Sequence, residues 1–390
     1  MKRHLIIFFL GFISDTTAQQ NDVATLVQRV VHESVAVKTG ETVYIFGGLH
    51  ALPLIENIVA ECKATGANAF PIINSIKAER SDQVTNAAFK SGFLNKSKPF
   101  DSFNAAQVWI IVHPFIEDPE TSHDKIADER LIQLASVEQE IYAEAARHHI
   151  RILRVSHPSG LLAESLKVNY DDYGKMIVKA SIDDDTEVNW VSNNVNRLKG
   201  FLVAANHVRI TTKSGTNFSF LVSKRPVIVN DGKITQEEKL SMKVFDKEAS
   251  LPAWSIEVSV LETSAIGKVF IPRAKCDYNE MTAVSFNFNR GKIENFKAME
   301  GGECFINKLA KREGPKDFIG SISFGFNPQL KAMDDNGVLI WLKETAGIIW
   351  VTIGGNEHLG GKNPVGCGQF SFPIIGATVE IDGKVILKGS

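Results

Sequence analysis

Between residues 20 and 156 the apolar pattern keeps changing period, which restricts this part of the chain to a layered α/β architecture. Val23 to Val35 carries apolar residues at helical spacing, and Thr42 to Phe46 is a short β-rich run closed by Gly47-Gly48. Leu52 to Ala64 reads as a helix stopped by Gly66, and Ala69 to Ile73 as a strand. Gln107 to Val112 is apolar enough for a strand buried on both faces. Ile126 to His149 reads as a long helix followed by the strand Ile150 to Val155. Right-handed crossovers between such strands produce a mostly parallel sheet. The expectation is a Rossmann-like α/β domain over residues 19–195.

After about residue 196 the segments become short and β-rich: His207 to Thr212, Ser219 to Ser223, Ile256 to Val260, Lys268 to Ile271, Ala283 to Asn287, Gly347 to Ile353 and Ala377 to Ile381. Ser214-Gly215, Asp231-Gly232, Asn336-Gly337 and Asp382-Gly383 supply turns between them. One helical stretch, about Phe296 to Ala310, interrupts the series. Residues 196–390 are therefore expected to form a mainly antiparallel β domain.

The first residues have the layout of a secretory leader. Lys2 and Arg3 precede the apolar run Leu5 to Ile13, and Thr16-Thr17-Ala18 places small residues where a signal peptidase reads. Residues 1–18 are expected to be removed and the mature chain to start near Gln19, in a periplasmic or secreted location. The whole chain has 43 basic and 45 acidic residues, a balance that argues against nucleic acid as a partner. Cys62, Cys276, Cys304 and Cys367 lack the spacing of a zinc ribbon or a thioredoxin-type pair. An oxidising compartment permits disulfides whose pairing the spacing does not give, and a buried, unpaired thiol is the commoner role for each.

Two segments concentrate groups that can do chemistry. Gly354-Gly355-Asn356-Glu357-His358-Leu359-Gly360-Gly361-Lys362-Asn363 follows an apolar strand and offers a carboxylate, an imidazole and two amides on a glycine-rich loop. Leu251 to Val258 carries Trp254 and Glu257, with Glu262 beyond. Five residues apart on one extended strand, Glu257 and Glu262 point to opposite faces, which leaves Glu262 facing solvent. Gly47-Gly48 lacks the spacing of a dinucleotide or phosphate loop and reads as a turn. His113 and His157 lie at strand ends, at the carboxyl edge where α/β sheets bind ligands, although a satisfied core or loop histidine is the commoner role. Ser159 lacks the context of a serine-hydrolase nucleophile.

The second half resembles the aminopeptidase T family of metallopeptidases and its relatives, the dihydroxypyridine ring-cleaving dioxygenases. The resemblance is carried by Gly215-Thr216-Asn217-Phe218-Ser219-Phe220, by Leu251-Pro252 through Glu257, Glu262 and Gly267, and by Gly320-Ser321 through Gly325, Asn327 and Pro328. Gly347 to Gly354 and Gly360-Gly361-Lys362-Asn363 complete it, in the family's order. The family holds a metal pair with two Glu, two His and one Asp. On that pattern Glu257 keeps the first Glu, whereas Ser321, Trp350, Gln369 and Ser371 stand at the other four positions. Indole offers no lone pair, and neutral Ser and Gln oxygens are weak ligands for a transition metal. The resemblance thus implies the family scaffold, a homodimer and a cleft without metal or other cofactor. The cleft would take a peptide or small organic ligand, with Glu257 and Glu357 in catalytic positions. Trp254, Trp350, Asn356, His358, Asn363 and Gln369 would line it. A metal-dependent aminopeptidase with a site rebuilt from Glu257, Glu357 and His358 is the alternative.

Overall fold

The computed structural model describes residues 21–74, 106–113, 145, 147–182, 185–241, 244–276, 279–333, 337 and 342–389. Helix α1 (21–28) continues into a π turn at Arg29–Ser34. There follow β1 (Thr42–Gly48), α2 (Leu52–Ala64), β2 (Asn68–Asn74), β3 (Val108–His113) and β4 (Arg151–Ser156). Next come α3 (Gly160–Leu166), α4 (Tyr170–Ser181) and α5 (Asp185–Ala204). The β-rich part opens with β5 (His207–Thr212), β6 (Asn217–Leu221), β7 (Val227–Asn230), α6 (Gln236–Leu240), β8 (Glu248–Leu251) and β9 (Ser255–Ser259). It continues through β10 (Ile266–Cys276), β11 (Asn279–Asn289), β12 (Lys292–Lys297) and α7 (Gly302–Ala310). The last strands are β13 (Ile319–Gly325), β14 (Ile348–Gly354), β15 (Gln369–Ile375), β16 (Ala377–Ile381) and β17 (Lys384–Leu387).

Three sheets result. The first, in order β2-β1-β3-β4-β8, is parallel throughout. Its interior strands bear out the apolar pattern: in β3 every residue from Val108 to Val112 is buried. The other two sheets are antiparallel, with orders β12-β11-β10-β6-β5-β16-β17 and β15-β14-β13-β9-β7. They meet through a cluster of phenylalanines, with Phe286 and Phe372 centroids 5.4 Å apart and Phe305 and Phe370 5.0 Å apart. Each such ring, taken out of water, contributes about 1.5–3 kcal/mol. β8 lies beyond residue 196 yet pairs with β4 in the parallel sheet, so the chain returns to that sheet immediately before β9.

Two expectations about local structure are corrected. The helix read over Phe296 to Ala310 divides, because Gly301 adopts a left-handed conformation (φ +70°) and α7 starts only after it. The preceding residues Lys292–Lys297 pair with β11 instead. Helices α3 to α5 were not read from the pattern. Cys276 and Cys304 form a disulfide joining the end of β10 to α7, whereas Cys62 and Cys367 are buried free thiols. The long helix expected over Ile126 to His149 falls almost wholly outside the described residues. The disulfide closes a sequence separation of 28 residues. Replacing both cysteines by serine is expected to cost about 3–4 kcal/mol of unfolding free energy in denaturant titration. A loss below about 1 kcal/mol would contradict this.

Candidate functional site

Alternation along the strands of the third sheet gives it one apolar and one polar face. Ile256, Val258, Ile322, Phe324, Ile349, Val351, Phe372 and Ile374 occupy the apolar face, against the phenylalanine cluster. The opposite face carries Ser255, Glu257 and Ser259 on β9, Ser321 and Ser323 on β13, Trp350 and Thr352 on β14, and Ser371 on β15. Glu257 pairs with Ser323, which pairs in turn with Trp350; Ser321 sits opposite both Ser259 and Thr352. The register thereby brings four of the positions singled out in the sequence, Glu257, Ser321, Trp350 and Ser371, onto one surface. Gln369 has the same parity opposite Gly354, but it is exposed and its amide donates to Gly355 O at 2.6 Å.

Glu257 is the centre of this face. Ser321 Oγ donates to Glu257 Oε1 at 2.7 Å, and Lys343 Nζ donates to the two carboxylate oxygens at 3.3 and 3.2 Å. Burial pushes the carboxyl upward, but Lys343, the Ser321 hydroxyl and nearby His358 together outweigh it and hold Glu257 below the usual range. Lys343 arrives on a strap that crosses the end of β13. A Cβ on Gly325 would lie 2.1 Å from Thr345 O and 2.7 Å from Lys343 O, so only glycine lets the strap come this close. The strap also carries Glu344, whose carboxyl is pushed up to about 7 by burial and by the Glu257 charge.

A second strap covers the other end of the face. Ser259 Oγ donates to Leu359 O at 3.0 Å, which docks the turn Glu357–Leu359 over β9. His358 on that turn is held below its usual pKa, chiefly by burial and against the pull of Glu257. Glu357 is exposed at the rim. Buried Ser323 Oγ and His358 Nδ1 have no hydrogen-bond partner among the described residues. Two polar groups left unpaired beside an ionised carboxylate are what a polar ligand would satisfy.

Several expected ligand-binding residues hold the protein to itself. Asn356 Nδ2 donates to Glu262 Oε1 at 3.0 Å and to Gly320 O at 2.9 Å, while Asn356 Oδ1 accepts from Asn363 N at 2.9 Å. Asn363 Nδ2 donates to Gly354 O at 2.9 Å. Both amides are buried and staple the glycine-rich loop, so neither has donors to offer a ligand. Glu262 lies past the end of β9 and is half-buried in an ion pair with Arg225 (2.6 Å), turned toward the protein and not toward solvent. Trp254 joins the main apolar core, whereas Trp350 stays on the polar face. Lys343, Glu344 and Ser323 were missed by sequence reasoning. Only Ser323 had a signal, its spacing of two from Ser321.

The residues present do not fit a pair of metal ions. Glu257 has its carboxylate engaged by an ammonium and a hydroxyl, and its neighbours across the sheet offer hydroxyls and an indole.

No protein-family model and no curated protein sequence matches the chain. Solved structures do match over nearly the whole length. Wild-type aminopeptidase T (AmpT) from Thermus thermophilus aligns with a TM-score of 0.68 at 12% identity, covering 93% of this chain and 95% of that one. The 2,5-dihydroxypyridine dioxygenase from Pseudomonas putida aligns with a TM-score of 0.62 at 13% identity, covering 94% and 95%. The chain therefore takes, over almost its full length, the fold of aminopeptidase T and of this dioxygenase.

Proposed function

We propose that this chain is an exported ligand-binding protein on the aminopeptidase T fold. Its polar face around Glu257 binds or transforms a peptide or small organic ligand without the metal pair of the aminopeptidase T family. The observation that carries this reading is the Lys343–Glu257–Ser321 cluster: a fixed ammonium and a hydroxyl engage the carboxylate that would otherwise hold a metal. Ser323 and His358 supply the unpaired polar atoms for a ligand, Trp350 an aromatic wall, and Glu357 a charge at the rim. The disulfide Cys276–Cys304 supports an oxidising compartment, in keeping with the leader-like start. A Rossmann-like first half and a homodimer are part of the same reading.

A metal-dependent aminopeptidase using Glu257, Glu357 and His358 is the second reading, favoured by the length of the match to aminopeptidase T. Thermal-shift screening of amino acids, dipeptides and small aromatic acids separates the two. Ligands that stabilise the wild type in the presence of chelator and lose at least tenfold in affinity with Glu257→Gln support the metal-free site. Release of N-terminal amino acids from peptides, abolished by chelator and restored by zinc or cobalt, would overturn it.

A further inference from the structure

Paired residues divide the polar face of the third sheet into rows that run across its strands. Ser255 and Gly325 form the first row, Glu257, Ser323 and Trp350 the second, and Ser259, Ser321 and Thr352 the third. Residues two apart along a strand lie about 7 Å from one another, which is the spacing of the rows. A Cβ on Gly325 would point to this face and run into Thr345 O and Lys343 O, so residues 343–345 rest on the first row. The bond from Ser259 Oγ to Leu359 O seats the turn Glu357–Leu359 on the third. The two straps therefore flank the middle row. Both couple to Glu257 at its centre, Glu344 from one side and His358 from the other.

We propose that the ligand of this face carries a positively charged amine, and that Glu344 is the residue that selects it. The inference rests on the Glu257 reading above. Its first support is the charge around the middle row. The described residues there bring three carboxyls, Glu257, Glu344 and Glu357, against the one ammonium of Lys343. That ammonium is engaged by both oxygens of Glu257, whereas Glu344 has no ion pair among the described residues. The Asn230 amide beside Glu344 donates to Ser250 Oγ at 2.7 Å. An arriving cation favours the ionised form of Glu344, whose carboxyl is otherwise pushed up to about 7. The second support is that the unpaired atoms accept. Ser323, 1% exposed, stands between Glu257 and Trp350 in the middle row with its Oγ unpartnered, and Thr345, 1% exposed, has its Oγ1 unpartnered on the strap. Burial keeps the His358 ring neutral, so one of its nitrogens is an acceptor. An ammonium brings three donors and no acceptor, which suits carboxyl, hydroxyl and imidazole alike. Trp350 adds an aromatic surface to the same row, and such a surface attracts a cation. A carboxylate or phosphate would instead meet Glu257 and Glu344 with the nearby ammonium already engaged.

Isothermal titration in the presence of chelator tests the proposal with benzylamine, phenylalaninamide, benzyl alcohol and benzoate, which share a ring and differ in charge. At pH 7 the amines carry their proton. One amine per chain is expected, bound at least about tenfold more tightly than the alcohol or benzoate, as a charged hydrogen bond is worth. Phenylalaninamide presents its amine as a peptide N-terminus does, so the tighter of the two amines identifies a peptide or a free amine as the source. Glu344→Gln should weaken benzylamine at least about fivefold. Lys343→Gln should strengthen it about threefold, because Glu257 is then released to the ligand. A merely structural role would weaken binding in both variants. The order of the four probes on the wild type keeps the test decisive if a variant fails to fold. Benzyl alcohol or benzoate bound as tightly as the amines, no saturable amine binding, or amine affinity unchanged by Glu344→Gln would each overturn the proposal. Tight binding of the alcohol or benzoate that is lost in Glu257→Gln would overturn it while leaving the metal-free Glu257 site standing. Chelator-sensitive peptidase activity would remove both.

Discussion

Lowering the pH from 7 to 4 is expected to remove about 2–3 kcal/mol of stability through His113, His157 and Glu344, which act in opposite directions. His113 and His157 have folded values near 4 against 6.5 unfolded. Their contribution is fully present above 6.5 and is lost as the pH falls toward 4, because the unfolded chain takes up the protons first. Each is about 2–3 kcal/mol after allowance for the part of the ring that meets solvent. Glu344 acts in the opposite sense: its folded value near 7 exceeds the ordinary 4.5, so acidification favours the folded state by a similar amount. Urea titrations across this range should show the net loss in the wild type. Glu344→Gln removes the opposing contribution and should deepen the loss to about 5 kcal/mol. His157→Gln should bring the wild-type loss close to zero, since one histidine then balances Glu344. A wild-type stability flat from pH 7 to 4, unaltered in both variants, would contradict these assignments.

The second large effect is expected at Asn356, where one side chain carries three buried hydrogen bonds. Asn356→Ala leaves Glu262, Gly320 O and Asn363 N without those partners, at about 1–3 kcal/mol apiece. A total loss of about 3–5 kcal/mol is expected in chemical unfolding, partial re-solvation of the loop setting the lower figure. The same substitution releases the strap that seats His358 over the polar face. Ligand affinity should therefore fall even where the protein remains folded. A loss below 1 kcal/mol would show that the loop does not depend on this amide.

The parallel half was legible because its strands are short, continuous apolar runs whose glycine turns and helical neighbours lie nearby in sequence. Leu52–Ala64, His207–Thr212 and Ala377–Ile381 have the very bounds that the pattern implies. The helices Gly160–Leu166 and Tyr170–Ser181 went unread although their caps are in the sequence. Ser159 and Asn169 each accept an N–H at 3.0 Å at the helix starts. At the site, Glu257, Ser321, Trp350 and Ser371 were singled out through the family resemblance, and the strand register places them on one surface. Lys343 and Glu344 were invisible because their role depends on a strap passing over Gly325, a non-local fact with no periodic signature. The glycine-rich loop misled in another way. Glycines with Asn and Glu suit a backbone that binds a ligand, and they equally suit one that binds itself, as Asn356 and Asn363 do.

The most direct test of the Glu257 account is elemental analysis of purified protein equilibrated with zinc, cobalt and iron and then freed of loosely held ions. With Lys343 and Ser321 engaging the carboxylate and only hydroxyls and an indole opposite, the account predicts no stoichiometric metal in the wild type. It predicts no change in metal content with Glu257→Gln. One or more ions per chain, lost together with peptidase activity in Glu257→Gln, would contradict it and establish a metalloaminopeptidase instead.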